Sequence, residues 1–287
     1  MNYRTARRRW CAFGVVLMIA GILSSSAGSS TAGMIGWWTF NETSGTTAHD
    51  SSGNGNDGVI SPGVALGIPG ARGTAFGFNS AAGSWVDVPY GSGALAPPTT
   101  QITLSAWINP SDLFCGGFGQ CAIASNEAPP GSGTWGYGIR LINFIFGPTL
   151  QFCWGTEGGP GNCAYGPYTP AFGTWANVVG TYDGTTLNEY VNGVLVAAQP
   201  GVFPALNTTS DFFVGRLPSG NLPFDGGIDE VRVFDRVLSA AEIANQAQEM
   251  PSSKANCKQS GFQDFGVFKN QGDCVSWVAT GGKNPPG

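Results

Sequence analysis

Asp229 and Glu230 form the one acidic cluster on a predicted strand of this chain, and acid–base chemistry would begin there. Retaining glycoside hydrolysis needs two carboxylates roughly 5 Å apart. On a single strand that means acids at i and i+2, or i and i+4, facing the same way. Adjacent strand residues face opposite ways, so Asp229-Glu230 does not supply the pair. His49 is the only histidine, which leaves no evident Ser/His or Cys/His arrangement for nucleophilic catalysis. The residues argue against an enzyme.

Sugar binding asks for other side chains. Flat C–H faces of sugars stack on aromatic rings, while amides and carboxylates bind hydroxyls. Trp135, Trp154, Tyr165, Tyr168 and Phe172 lie in or beside two long Gly/Pro-rich stretches, 112–134 and 155–173. Loops on a rigid scaffold are where binding residues concentrate, so these five are the candidate ligand platform. The alternative is that they cover loop backbone or fill small satellite cores. Trp37, Trp38, Trp107 and Trp175 fall on predicted strands and read as core. The run from Asp50 to Asp57 is dense in the carboxylate and amide oxygens that calcium takes. It is equally ordinary turn chemistry, without EF-hand spacing.

Bulk features narrow the class. Arg4, Arg7, Arg8 and Arg9 precede an apolar stretch from Cys11 to Leu23, followed by small residues. This reads as a signal peptide over 1–32, its apolar core being too short for a permanent membrane span. Four of the thirteen basic residues lie in it and none of the eighteen acids, leaving nine against eighteen and a net charge of −9. Nucleic acid is excluded as a partner, because phosphate contacts need clustered Lys and Arg. No membrane span remains after cleavage. The expected location is secreted, extracellular or at the cell surface, with the periplasm as an alternative. Six cysteines remain, in three close pairs: Cys115 with Cys121, Cys153 with Cys163, and Cys257 with Cys274. An even count in an exported chain points to disulfides. Zinc is the rival, but there is no C-x-x-C knuckle and one histidine.

The elements that must position these groups are mostly strands. Residues 101–108 alternate, with Ile102, Leu104, Ala106 and Ile108 on one face and Thr103, Ser105 and Trp107 on the other. Further strands are predicted over 34–40, 75–78, 85–88, 137–142, 150–154, 175–182, 187–191, 194–197, 212–216 and 228–234. Asp183-Gly184 and Asn192-Gly193 are hairpin turn signals and make 175–197 an antiparallel meander. One helix is expected, from the capping box Ser239-Ala240-Ala241-Glu242 to Pro251. The expected fold is all-β: a two-sheet antiparallel jelly-roll β-sandwich over 33–250, with one short C-terminal helix. A linker and a small disulfide-bonded tail fill 251–287.

Several segments resemble bacterial laminin-G-like domains of the concanavalin A-like lectin/glucanase superfamily. They are Gly36-Trp37-Trp38-Thr39-Phe40, Asp50-Ser51-Ser52-Gly53-Asn54-Gly55-Asn56, Thr103-Leu104-Ser105-Ala106-Trp107-Ile108, Tyr190-Val191-Asn192-Gly193 and Gly227-Ile228-Asp229-Glu230-Val231, in that order. The resemblance implies a structural calcium joining the first loop to the last strand, with Asp50, Asn54, Asn56 and Asp229 as ligands. It also brings glucanases into view, but their Glu-x-Asp-x-Glu type of spacing is missing here. The tail resembles a short cysteine-containing segment at the ends of bacterial exported proteins. The expected function is a non-enzymatic module recognising carbohydrate or cell-surface glycan. An adhesive or assembly-forming subunit with an extracellular protein partner is the second reading, and a glycan-degrading enzyme the third.

Overall fold

The structure is a computed structural model, and it describes residues 32–90, 95, 100–111, 119–127, 136–144, 147–155, 162–248, 254, 257–258 and 269–280. The expected signal peptide lies outside these residues. Among them, two antiparallel sheets of eight strands each face one another. The first runs β14 (Val194–Pro200), β13 (Thr186–Val191), β12 (Ala176–Tyr182), β7 (Ile102–Pro110), β16 (Gly226–Phe234), β5 (Thr74–Phe78), β4 (Ala65–Pro69). β1 (Met34–Trp38) pairs with the second half of β16, whose first half pairs with β5. The second sheet runs β11 (Cys163–Pro167), β10 (Gly147–Gly155), β9 (Gly136–Phe144), β8 (Gln120–Ser125), β15 (Phe212–Val214), β6 (Val86–Val88), β3 (Gly58–Ile60), β2 (Thr47–Ala48).

Alternation drives the packing. Ile102, Leu104, Ala106 and Ile108 of β7 enter the shared core, as the sequence predicts. Aromatic rings bridge the sheets. Trp38 stacks on Phe212 with centroids 5.4 Å apart, and Trp154 lies against Tyr182 at 4.5 Å. The sheets come so close at Gly180 that a Cβ there would sit 2.2 Å from the Phe152 ring. The Asn192-Gly193 turn has φ of +50° and +78°, the pair of positive angles a two-residue hairpin requires.

Several findings differ from expectation, among them the unpredicted strands β2, β3 and β4. The stretches 112–134 and 155–173 are not simply loops, since they contain β8 and β11 of the second sheet. Their glycines and cysteines dilute the apolar alternation that marks a strand. The tail contributes a second helix, α2 (Gln271–Thr280), where only α1 (Ala240–Gln246) is predicted. Between Asp229 and Arg232 the register slips, with Glu230 at φ +53°.

α1 begins at the capping box, with Ser239 accepting from the Glu242 backbone N–H and Glu242 reaching back. It sets Ile243 against Val179, Phe234 and Leu238, covering part of the outer face of the first sheet. Among the described residues no helix is long and apolar enough to cross a membrane.

Candidate functional site

The outer face of the second sheet gathers polar groups. Tyr137, Ile139 and Leu141 of β9 point into the core, as do Leu150, Phe152 and Trp154 of β10. Their alternates therefore face outward. Register aligns Ala122, Arg140, Gln151 and Tyr165 in one row across β8, β9, β10 and β11. The next row is Ser125, Gly138, Cys153 and Cys163.

Glu127 follows β8 and is fully buried, its carboxylate gripped by the Arg140 guanidinium through both oxygens. Gly138 makes the space: a Cβ there would lie 2.5 Å from Glu127 Oε1 and 2.8 Å from Ser125 Oγ. The Glu127 N–H donates to Ser125 Oγ at 3.0 Å. Pairing of this kind is what makes a buried charge tolerable. Two polar atoms of the row stay without a partner although buried, the Arg140 Nε donor and the Gln151 Oε1 acceptor. Arg140 and Gln151 are directly opposite on neighbouring strands, and Tyr165, beyond Gln151, is 49% exposed.

Of the five candidate aromatics, the structure sends two into the core. Trp154 is fully buried, its Nε1–H donating to the Pro204 carbonyl at 2.8 Å. Tyr168 is 3% exposed, and burial raises its phenol far above the ordinary value. Neither ring can stack on a ligand, which corrects the expectation for both. Trp154 sits at the inward phase of β10, and Tyr168 closes the sandwich beyond β11. Tyr165 and Phe172 are exposed, and Trp135 lies outside the described residues. The groups that sequence reading missed are Glu127, Arg140 and Gln151. A signal was available, because Arg140 and Gln151 interrupt otherwise apolar strands.

The four expected calcium ligands divide. Asp50, Asn54 and Asn56 share one loop that is held by hydrogen bonds within itself and to β1. Asp50 Oδ1 accepts from the backbone N–H groups of Trp37 (3.0 Å) and Ser52 (2.9 Å). Its Oδ2 accepts from Ser52 Oγ (2.8 Å) and the Asn56 N–H (2.9 Å). That fills all the lone-pair sites of a carboxylate. Asn54 uses its amide N–H groups on the Met34 carbonyl and Ser52 Oγ. Asp229 belongs to another cluster, where its Oδ2 accepts from the Arg72 N–H at 2.8 Å. Of this set only Asn56 Oδ1 and Asp229 Oδ1 are buried without partners, against the six to eight oxygens calcium takes. The residues do not fit the ion. Among the described residues, no group of three or more His, Cys, Asp or Glu could hold a metal.

The slip at Glu230 also corrects the view that Asp229 and Glu230 face apart. Both carboxylates act on the Arg72 guanidinium, which burial nevertheless holds down at about 10. Burial, then the charge of Glu230, raises the Asp229 carboxyl well above its ordinary value. Glu230 accepts from Trp37 Nε1–H at 2.9 Å and from Arg232. Both acids are closed off, at 0% and 5% exposure.

Cys153 and Cys163 form a disulfide across the β10–β11 hairpin, and Cys257 bonds Cys274 in the tail. Cys121 is also disulfide-bonded, while Cys115 lies outside the described residues.

Comparison with known proteins places this geometry. A family model described as the concanavalin A-like lectin/glucanases superfamily matches residues 79–244. A search of curated proteins by sequence finds no match. Among solved structures, domain 4 of AbnA, a GH43 extracellular arabinanase from Geobacillus stearothermophilus in complex with arabinotriose, is similar at a TM-score of 0.56. The identity is 20%, over 75% of this chain and 98% of that one. The binding domain of botulinum neurotoxin serotype D is similar at a TM-score of 0.58 and 15% identity, over 76% of this chain and 51% of that one. Trypanosoma rangeli sialidase follows at 0.53 and 17%, over 75% of this chain and 33% of that one. The chain thus spans about half of the toxin domain and a third of the sialidase. At such identities these likenesses speak for the fold alone. The family match, in contrast, covers more than half of the 287 residues, and the chain belongs to the concanavalin A-like lectin/glucanases superfamily.

Proposed function

We propose that the chain is an exported, non-enzymatic module that binds a glycan on the outer face of its second sheet, at Arg140, Gln151 and Tyr165. One observation carries the reading. The Arg140 Nε donor and the Gln151 Oε1 acceptor sit opposite each other, buried and unpartnered, beside an exposed phenol ring. A buried polar group without a partner costs free energy, and a sugar hydroxyl admitted beside Tyr165 would supply one. The Tyr165 ring then offers a face for the sugar's C–H groups. Glu127 supports the site by fixing Arg140. The disulfides suit an oxidising, extracytoplasmic setting. Two structural neighbours lend support: the arabinanase domain was solved with arabinotriose, and the binding domain of botulinum neurotoxin DC in complex with SialylT.

The test is a glycan array probed with the mature protein and with Gln151→Ala and Tyr165→Ala. Reproducible hits that weaken about tenfold or more in both variants, with unchanged melting, support the site. A blank array, or hits indifferent to both changes, sinks it. Protein adhesion is the second reading, favoured by the edge strand β14, where Val194 and Leu195 are 65% and 51% exposed. Edges of that kind are templates for pairing with another chain.

A further inference from the structure

We infer that two copies of this chain associate edge to edge, β14 against β14 in antiparallel register, about a two-fold axis at Ala198. The contact is independent of glycan binding and gives the exposed edge a definite occupant.

β14 closes one end of the first sheet, and among the described residues no strand lies beyond it. At seven residues it is longer than β4, β2 and β11, the other strands that end the two sheets, with five, two and five. Its pairing with β13 is regular over 197–200, past the shift opposite Glu189. β11 holds the strand from beneath: a Cβ on Gly166 would lie 2.6 Å from Val196 and 3.2 Å from Ala197. An edge already fixed in this way loses little freedom on docking.

The backbone shows which groups are turned outward. Gly201 N–H donates to the Thr185 carbonyl at 2.8 Å, so Gly201 faces the chain that leads into β13. Successive strand residues turn their polar groups to opposite edges, so Gln199 also faces β13, while Ala198 and Pro200 face away. The Pro200 carbonyl accordingly accepts from the Gln199 Nε2 amide at 3.2 Å. Ala198 presents both N–H and C=O outward. Two copies related by a two-fold axis at this residue exchange both bonds as one hydrogen-bonded antiparallel pair.

Side chains select a second copy as the occupant. Val202 and Val194, 81% and 65% exposed, are the most exposed large apolar side chains among the described residues. They lie equally far along the chain from Ala198. The two-fold axis therefore sets Val194 of one copy opposite Val202 of the other, twice over. It sets Leu195 opposite Gly201, which has no side chain to obstruct it. An isologous contact needs this self-complementarity. Charge agrees with it. No Asp, Glu, Lys or Arg occurs over 190–210, so the charged guards of many edge strands are missing. The whole chain carries a formal net charge of −5, and two like-charged copies meet with least repulsion at an uncharged side.

The experiment is sedimentation velocity of the mature protein over about 1–100 µM, repeated with Val202→Lys. The parent chain should pass from monomer to dimer within that range, and the variant should need about tenfold or more higher concentration. Val202 is exposed, so an unchanged melting curve is expected for the variant and confirms that its fold is kept. Oxidation of Ala198→Cys should link two copies through the residue on the axis, whereas Val59→Cys, exposed on the second sheet, should stay unlinked. A monomer at every concentration overturns the inference, as does a dimer that is indifferent to Val202→Lys or unlinked by Ala198→Cys. Glycan binding that persists in monomeric Val202→Lys leaves the reading above standing on its own.

Discussion

Glu189 occupies a core-facing position of β13, fully buried against Phe152 and Gly166. Neither oxygen has a partner in good geometry, although the amides of Phe152 and Gly166 are near enough to temper the effect. Burial pushes its carboxyl up to about 9, from an ordinary 4.5. A raised carboxyl binds its proton more tightly in the folded chain than in the unfolded one. The stability this gives is complete below the unfolded value and is lost as pH rises through the folded one. Chemical denaturation across pH 5 to 9 should therefore show stability falling as pH rises, by at most about 1.4 kcal/mol per unit. Glu189→Gln should flatten that slope; an unchanged slope would assign the dependence elsewhere. Asp50 is a carboxylate with every acceptor site used. Asp50→Ala should cost roughly 2–3 kcal/mol, since it strands several N–H groups. The loss should be the same with calcium or chelator. A melting temperature that rises with calcium in the parent chain alone would return the ion to this loop.

Tyr165 reaches the surface on a hairpin of two strands, and the hairpin is clipped at its turn end. Cys153 and Cys163 are directly opposite in register, with Cα atoms 4.1 Å apart and ten residues of separation. Replacing both by Ala should lower stability by roughly 2–3 kcal/mol through the freed loop. Glycan affinity should fall with it, because Tyr165 and Gln151 then lose their fixed spacing. Denaturation and titration of the double variant check both effects; full affinity on a weakened fold would mean the site does not depend on the clip. This hairpin also marks the limit of reading from sequence. The meander around Asp183 and Asn192 was legible because its strands alternate and its turns carry Asp-Gly and Asn-Gly. β11 was not, since Gly166 and Pro167 interrupt a strand of five residues that follows a glycine-rich run. Residue type pointed to aromatic platforms, but type alone does not separate Trp154, turned inward, from Tyr165, turned outward. Strand phase makes that distinction, and it becomes secure only when register is known. The slip at Glu230 was equally hidden, because a bulge changes which way a side chain faces without changing composition.

At the scale of the molecule the chain holds more than one core. The sandwich interior joins both sheets, whereas Cys257, Cys274 and Trp277 form a separate cluster with Val275 and Val278 against α2. A short segment of this kind buries too little apolar surface to hold itself without a covalent staple, so the Cys257–Cys274 bond is its natural support. Among the described residues, no member of that cluster belongs to the sandwich core. Replacing Cys257 and Cys274 together by Ser should accordingly leave the main thermal transition within about a degree of the parent, because a loss of 1 kcal/mol in a domain this large would move it by ~2–4 °C. Trp277 fluorescence should shift towards that of an exposed indole in the same variant. Glycan binding should be untouched, since the proposed site lies on the second sheet. A main transition lowered by several degrees would instead show that the tail is packed against the sandwich and stabilises it, and the two cores would have to be treated as one cooperative unit.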